Sequence, residues 1–293
     1  MRSSYSYHTI GEVGLFTLPL FSALPGIDHG FSARTGGVSS GCYSSLNLSF
    51  ARPENRETVT RNYHIFCKAC DIDTDSLVMD SYEHGTIILP VTAADCGRGF
   101  ARQPLPPCDG MVTNDPACCL MTGHADCMAF YCYDPITRSI GLAHAGWRGA
   151  LNRIGANLIA AMQTHYGADP KDIRVGVGPS ICPTCFEVGE DVAELFDAAY
   201  PGLPLRGASS SIGAPAWLAP QGQTRGEKKT TIDLWKVACC QFFEAGVLPE
   251  HLQLMGVCTA EEESRLFSHR RDRGATGAMV AFLRLCRSTK SCE

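Results

Sequence analysis

Apolar positions along this chain change period several times, and each change marks an element. Between residues 54 and 70, Val59, Tyr63, Phe66, Cys67 and Cys70 recur at helical spacing, with Arg56, Glu57, Arg61 and Lys68 elsewhere, which predicts an amphipathic helix. Leu151, Ile154, Leu158, Ile159 and Met162 predict another, ending near Gly167 with Pro170 beyond it as a stop signal. Val192, Leu195, Phe196 and Ala199 give a further helix, and Asp233 is a good N-cap for the last, which runs to about Gly246. Short runs of strand-forming residues fall before residue 28 and at 76–92, 111–113, 118–122, 128–133, 139–143, 173–177, 252–258 and 277–285. The 76–92 run is broken at Tyr82-Glu83-His84-Gly85. Residues 29–48, rich in Gly and Ser, read as a tight loop without P-loop or dinucleotide-fingerprint spacing. Residues 94–110 read as an irregular loop, and 201–229, rich in Pro, Gly, Ser and Ala, as a long flexible excursion. Hairpins mixed with crossovers favour one α+β domain over residues 1–293 rather than a doubly wound parallel sheet.

The runs at 128–133 and 139–143, joined by a turn through Asp134-Pro135, read as an antiparallel hairpin. Cys127 precedes the first strand and His144 follows the second, so residues 17 apart in sequence meet at one end of the pair. A thiolate beside an imidazole is either a nucleophile with its base or two ligands of a soft metal. These two residues leave both open.

Composition narrows the partners. A net charge of -5 gives no general attraction for nucleic acid or an anionic membrane, so an anionic substrate needs a local basic site. The apolar segment 15–27 is broken by Pro19 and Pro25 and does not read as a membrane span. The first residues lack the pattern of a secretory signal, and with 16 cysteines in 293 residues this leads us to expect reduced thiols in the cytoplasm. Cys67/Cys70 and Cys182/Cys185 are separated by 111 residues where a zinc ribbon has about 15–20. Cys67 and Cys70 lie on an apolar helix face and read as core; Cys182-Pro-Thr-Cys185 stays open as a redox pair.

Several motifs, in order along residues 28–285, resemble those of the YfiH-like or laccase-domain proteins, also called polyphenol oxidases or purine nucleoside phosphorylases. They are Arg34-Thr-Gly-Gly-Val-Ser39, Ser45-Leu-Asn-Leu48, Ala125-Asp-Cys127, His144-Ala-Gly-Trp-Arg-Gly149, Gly178-Pro-Ser-Ile181, Phe186-Glu-Val-Gly189, Cys258-Thr259 and Ser268-His-Arg-Arg271. The resemblance implies a four-layer α/β/β/α sandwich with mixed sheets. It also implies a zinc site of two histidines and one cysteine. The family's Gln-Val-His-Gly motif stands here as Tyr82-Glu83-His84-Gly85, which makes His84 the third ligand beside Cys127 and His144. Two further departures are His124, expected to face away from the metal, and His269, where the family tends to have tyrosine.

Three protein ligands leave one tetrahedral position open, the pattern of a catalytic zinc. The resemblance implies phosphorolysis of adenosine, inosine, guanosine or methylthioadenosine, and deamination of adenosine to inosine. Arg148 and Arg34 are the phosphate or ribose candidates, Asn47 the candidate for ribose hydroxyls, Arg271 (with Arg270) a further cation, and Glu187 an acid/base or histidine-orienting group. No two of the nine histidines stand two residues apart, which argues against a four-copper oxidase. Phenol oxidation would then be incidental copper(II) loading of the same site. Two alternatives remain: a Cys127–His144 amidohydrolase acting on a peptidoglycan precursor, and a metal-storage or redox-sensing protein.

Overall fold

The computed structural model describes residues 4–207 and 229–286. The first sheet runs, in spatial order, β1 (Ser6–Ile10), β2 (Val13–Thr17), β3 (Ile27–Ser32), β15 (Met279–Leu285), β7 (Cys119–His124) and β4 (Leu77–Met79). The second runs β14 (Leu252–Leu254), β10 (Arg174–Val177), β8 (Met128–Asp134), β9 (Ser139–Ala145), β6 (Gly110–Thr113) and β5 (Ile88–Pro90). The β4–β7, β5–β6 and β10–β14 pairs are parallel and the others antiparallel, so both sheets are mixed. Strand β4 lies in the first sheet and β5 in the second, so the chain between them carries Tyr82–Gly85 across the open end of the sandwich.

Side-chain alternation along β8 shows how the layers arise. Ala129, Tyr131 and Tyr133 face Phe31, Leu120, Ala281 and Leu283 of the first sheet across a core between the sheets. Met128, Phe130 and Cys132 point the other way, into a core covered by α4 (Ile154–Tyr166), α5 (Glu190–Ala199) and α6 (Leu234–Glu244). Both faces of β8 are therefore dry, and its seven residues are all buried. On the far side of the first sheet, α2 (Arg56–Ala69) packs Val59, Tyr63 and Phe66 against Leu15, Met121 and Phe282. The result is α/β/β/α.

Most predicted elements lie where the periodicity puts them, and the differences have physical reasons. The helix expected from residue 151 is two, α3 (Trp147–Leu151) and α4, because Arg153 between them adopts left-handed backbone with φ 66°. Arg153 is held there by an ion pair with Glu244 and by a bond to the Ala199 carbonyl. Residues 29–32, read as loop from their Gly and Ser, belong to β3 in the middle of the first sheet. There Gly30 gives room that a Cβ would take, at 2.7 Å from Leu15 Cδ1. A short α1 (Pro19–Ser22) and a third sheet of β11 (Glu187–Gly189), β13 (Lys229–Ile232) and β12 (Arg206–Gly207) went unpredicted, since two to four residues carry too little pattern. Cys67 and Cys70 are buried free thiols in the α2 core, as their helix face implies. Residues 208–228 of the expected excursion lie outside the described residues. Among the described residues, no helix is long and apolar enough to cross a membrane.

The core also holds a pH-sensitive group. His29 is buried in β3, and its Nε2 accepts the Leu18 N–H at 2.8 Å, which requires an unprotonated nitrogen. Burial pushes the imidazole down from 6.5 to about 3. The unfolded chain thus binds this proton more readily, and stability present above about pH 6.5 is lost as pH falls toward 3. His29→Gln, which keeps an acceptor, should lose less melting temperature between pH 7 and 5 than the wild type. Equal losses in the two proteins would rule His29 out as the cause.

Candidate functional site

Strands β8 and β9 pair from Met128↔Ala145 to Asp134↔Ser139, so Cys127 emerges beside Gly146 and one residue beyond the end of the ladder. His144 is still within β9, opposite Ala129. His84 arrives from the crossing loop with φ 61°, a left-handed conformation uncommon for a non-glycine residue. The three donor atoms, two imidazole nitrogens and the Cys127 sulfur, all lie within 4.8 Å of one another. Two glycines make this approach possible. A Cβ on Gly146 would stand 2.6 Å from His84 Cδ2 and 3.4 Å from Cys127 Sγ, and one on Gly149 would stand 2.8 Å from the Gly85 carbonyl oxygen.

Behind the histidines lies Asp109, a residue the sequence reading did not single out. Its Oδ2 accepts the Gly85 N–H at 2.8 Å, and its Oδ1 faces His144 Nδ1 at 3.5 Å, where neither atom has another partner. Burial would lower the His144 imidazole, but the neighbouring Cys127 sulfur and Asp109 more than offset it and lift it to about 10. Burial would likewise raise the Cys127 thiol, and the two imidazoles outweigh it, bringing the thiol to about 7. Asp80, whose Oδ2 is buried and unpartnered, is pushed up to about 7, chiefly by desolvation. Tyr82 lies over His144 with ring centres 4.5 Å apart.

His124 does not face away as expected: its ring centre lies 5.4 Å from that of His144. It is nonetheless fully engaged. Nδ1 donates to the Cys127 carbonyl at 3.1 Å, which leaves Nε2 to accept the Thr122 hydroxyl at 2.7 Å. Asp126, at φ 96°, ties three segments together. Its carboxylate accepts from the Thr259 hydroxyl and the Arg270 N–H, both at 2.6 Å, and its carbonyl accepts the Ile181 N–H.

The three donors open onto a cleft of about 430 Å³, a size suited to a small organic ligand. Tyr82, Trp147, Phe186 and Ile181 supply apolar walls, and Arg52, Arg148, Arg270 and His269 supply the polar part of the lining. Arg148 lies against Trp147, with its guanidinium carbon 4.3 Å from the ring centre.

Of the substrate candidates read from sequence, Arg148 and Arg270 line this cleft, whereas four others do not. Arg34 donates to the Ser44 and Glu263 carbonyls and lies over Phe267. Asn47 is fully buried and joins Glu54 and Ser49 to the Ala278 N–H. Arg271 spends its fork on the Thr259 and Leu266 carbonyls and on Asp272. Glu187 approaches Lys229 at 3.9 Å, and the carboxylate that faces a site histidine is Asp109 instead. These four motif residues hold loops. Arg52 and Asp109 carry no local spacing that marks them, since each meets the other site residues from a segment distant in sequence.

A family model described as multi-copper polyphenol oxidoreductase laccase matches residues 28–286. The chain belongs to this family. Among its curated relatives, purine nucleoside phosphorylase YlmD of Geobacillus stearothermophilus is 34% identical over 258 residues, covering 87% of this chain and 88% of that protein. YlmD of Bacillus subtilis is 31% identical over 257 residues, covering 87% of each chain. The crystal structure of YlmD from Geobacillus stearothermophilus superposes with a TM-score of 0.85 at 30% identity, over 98% of this chain and 100% of that one. The hypothetical protein YfiH of Bacillus licheniformis gives 0.81 at 26% identity, over 96% and 99%. The shared fold is the mixed-sheet α+β sandwich described above. The family description speaks of several coppers. Among the described residues, two groups of side chains bring their donor atoms close enough together to hold a metal ion: the His84–Cys127–His144 group and one of three cysteines with Glu261.

Gly146 has φ -69°, ordinary backbone for any residue, so Gly146→Ala perturbs the site through contact alone. Its methyl should push His84 away and remove one of the two imidazoles that lower the Cys127 thiol. Alkylation of the Cys127 peptide in metal-free protein, followed by mass spectrometry against pH, should then show its midpoint moving upward. An unchanged midpoint would mean that His84 does not act on Cys127.

Proposed function

We propose that the chain is a zinc-dependent purine nucleoside enzyme that phosphorolyses adenosine, inosine, guanosine or methylthioadenosine and deaminates adenosine to inosine. The observation that carries this reading is the convergence of His84, Cys127 and His144 on one point at the floor of a cleft with arginines in its wall. Relatives named purine nucleoside phosphorylase support the substrate class.

The donor set fits zinc: one thiolate and two imidazoles, with a carboxylate facing the outer nitrogen of His144. The same ligands suit copper(II), which would account for phenol oxidation as a side activity. Zinc in this position supplies Lewis acidity and an acidified water. The remaining work falls to the chain's own groups. Tyr82, Trp147 and Phe186 offer faces for a purine. Arg148 supplies a cationic fork for phosphate, whose oxygen bonds to C1′ as the glycosidic bond breaks and the purine departs with a proton; Arg270 adds positive charge to the wall while its Nη1 holds the Cys185 and Glu187 carbonyls. Asp109 keeps the His144 ring oriented.

Incubation of the protein with adenosine tests this directly. With phosphate, chromatography should show adenine and ribose 1-phosphate; without it, inosine should accumulate. Finding neither product above a Cys127→Ala control would sink the proposal. Arg148→Ala should raise the phosphate concentration needed for half-maximal phosphorolysis about 10- to 100-fold, the worth of a charge-assisted bond. Deamination, which needs no phosphate, should change far less; equal losses in both reactions would remove Arg148 from the phosphate site.

A second reading rests on the metal-free electrostatics. A thiol lowered to about 7 beside an imidazole raised to about 10 is a thiolate–imidazolium pair, the equipment of a cysteine amidohydrolase. Stoichiometric zinc that is lost in His84→Ala would argue against it.

A further inference from the structure

The Cys182-Pro-Thr-Cys185 turn is not isolated, because the sheet delivers a third thiol to it. Strands β10 and β14 are parallel neighbours, so the loops that follow them leave the sheet side by side. The pairing continues past the strands: Ser180 bridges Cys258, the Ser180 N–H donates to the Val257 carbonyl, and the Thr259 N–H donates to the Ser180 carbonyl. This register places Cys258 against Cys182, whose own N–H donates to the Cys258 sulfur at 3.3 Å. Glu261, one turn further on, brings Oε1 to 3.5 Å from both Cys182 Sγ and Cys185 Sγ. All four donor atoms lie within 4.8 Å of one another. The three cysteines are buried and Glu261 is exposed, which gives the group a dry floor and one ligand at the surface.

We propose that Cys182, Cys185, Cys258 and Glu261 form a second zinc site, separate from the His84 group and structural in role. Four protein donors close a tetrahedron and leave no position for substrate, as in structural rather than catalytic zinc. The three thiols give up their protons on binding, so affinity falls in acid. A disulfide between Cys182 and Cys185 would use two of these groups and give no part to Cys258 or Glu261, which is why a metal accounts for the arrangement better than a redox pair. The site would brace the cleft. Ile181 and Phe186, beside the two turn cysteines, line it, and Arg270 donates to the Cys185 and Glu187 carbonyls at 3.2 and 2.9 Å.

The test uses the full chain carrying His84→Ala and Cys127→Ala, which leaves the first group a single imidazole. Purified without oxygen and desalted, this protein should retain about one zinc per chain by elemental analysis. Replacing that zinc with cobalt(II) should give an intense near-ultraviolet thiolate-to-cobalt band. Adding Cys258→Ser should abolish both signals. If that variant is insoluble, Glu261→Gln, at an exposed position, should weaken zinc retention against a chelator about 10-fold while leaving the far-ultraviolet dichroism unchanged. A folded double variant with no zinc and no cobalt band would overturn the proposal, as would a Cys182–Cys185 disulfide in the anaerobically purified protein. None of these readouts depends on nucleoside turnover, so failure here and failure of the proposed activity are distinguishable.

Discussion

A single buried carboxylate joins the parts of the site. Asp109 stands at the entrance to β6, and its backbone already bonds both neighbours: its N–H donates to the Ile87 carbonyl, and its carbonyl accepts the His144 N–H at 2.7 Å. Its side chain then accepts the Gly85 N–H and faces the His144 ring. A carboxylate taken out of water is expensive unless its lone pairs are used. The attraction of His144 and the Gly85 bond outweigh that desolvation and hold Asp109 below the usual carboxylate range. Asp80 goes the other way: desolvation outweighs the attraction of His144, the negative charge of Asp109 adds to it, and the carboxyl is raised. Two aspartates near one histidine are thus pushed apart by their surroundings.

Around this anchor, two sheets contribute different halves. The second sheet supplies Cys127 and His144 from adjacent strand ends, a rigid pair set by the antiparallel register. The crossing from the first sheet to the second supplies His84 on a loop with left-handed backbone, held by Asp109 and by the close approaches at Gly146 and Gly149. Left-handed backbone at a non-glycine residue costs of order 1–3 kcal/mol and persists where its surroundings over-determine it. His84 and Asp126 both carry this cost, and both lie beside the thiol.

Three motif residues expected to contact substrate are engaged within the fold instead. Arg34, Asn47 and Arg271 bond backbone carbonyls and buried partners, fastening the 34–48 and 259–272 loops to each other and to the sheet. From sequence alone an arginine in a motif invites a phosphate, because its fork matches phosphate oxygens. The same fork matches a pair of carbonyls equally well, and only the surroundings distinguish the two uses.

The sequence by itself determined the local features, those whose physics lies within about twenty residues. The helical period of α2, the dry run of β8 and the hairpin that joins Cys127 to His144 were legible there, whereas the four-layer sandwich came only with the family resemblance. His84 entered through its motif, not through any pattern of its own. What the tertiary structure decided depends on contacts between distant segments: Asp109 behind His144, Arg52 in the cleft wall, Arg34 and Asn47 turned to support, and Cys258 brought to Cys182. Such meetings are set by which strands pair and where the chain crosses between sheets, and periodicity carries no information about either.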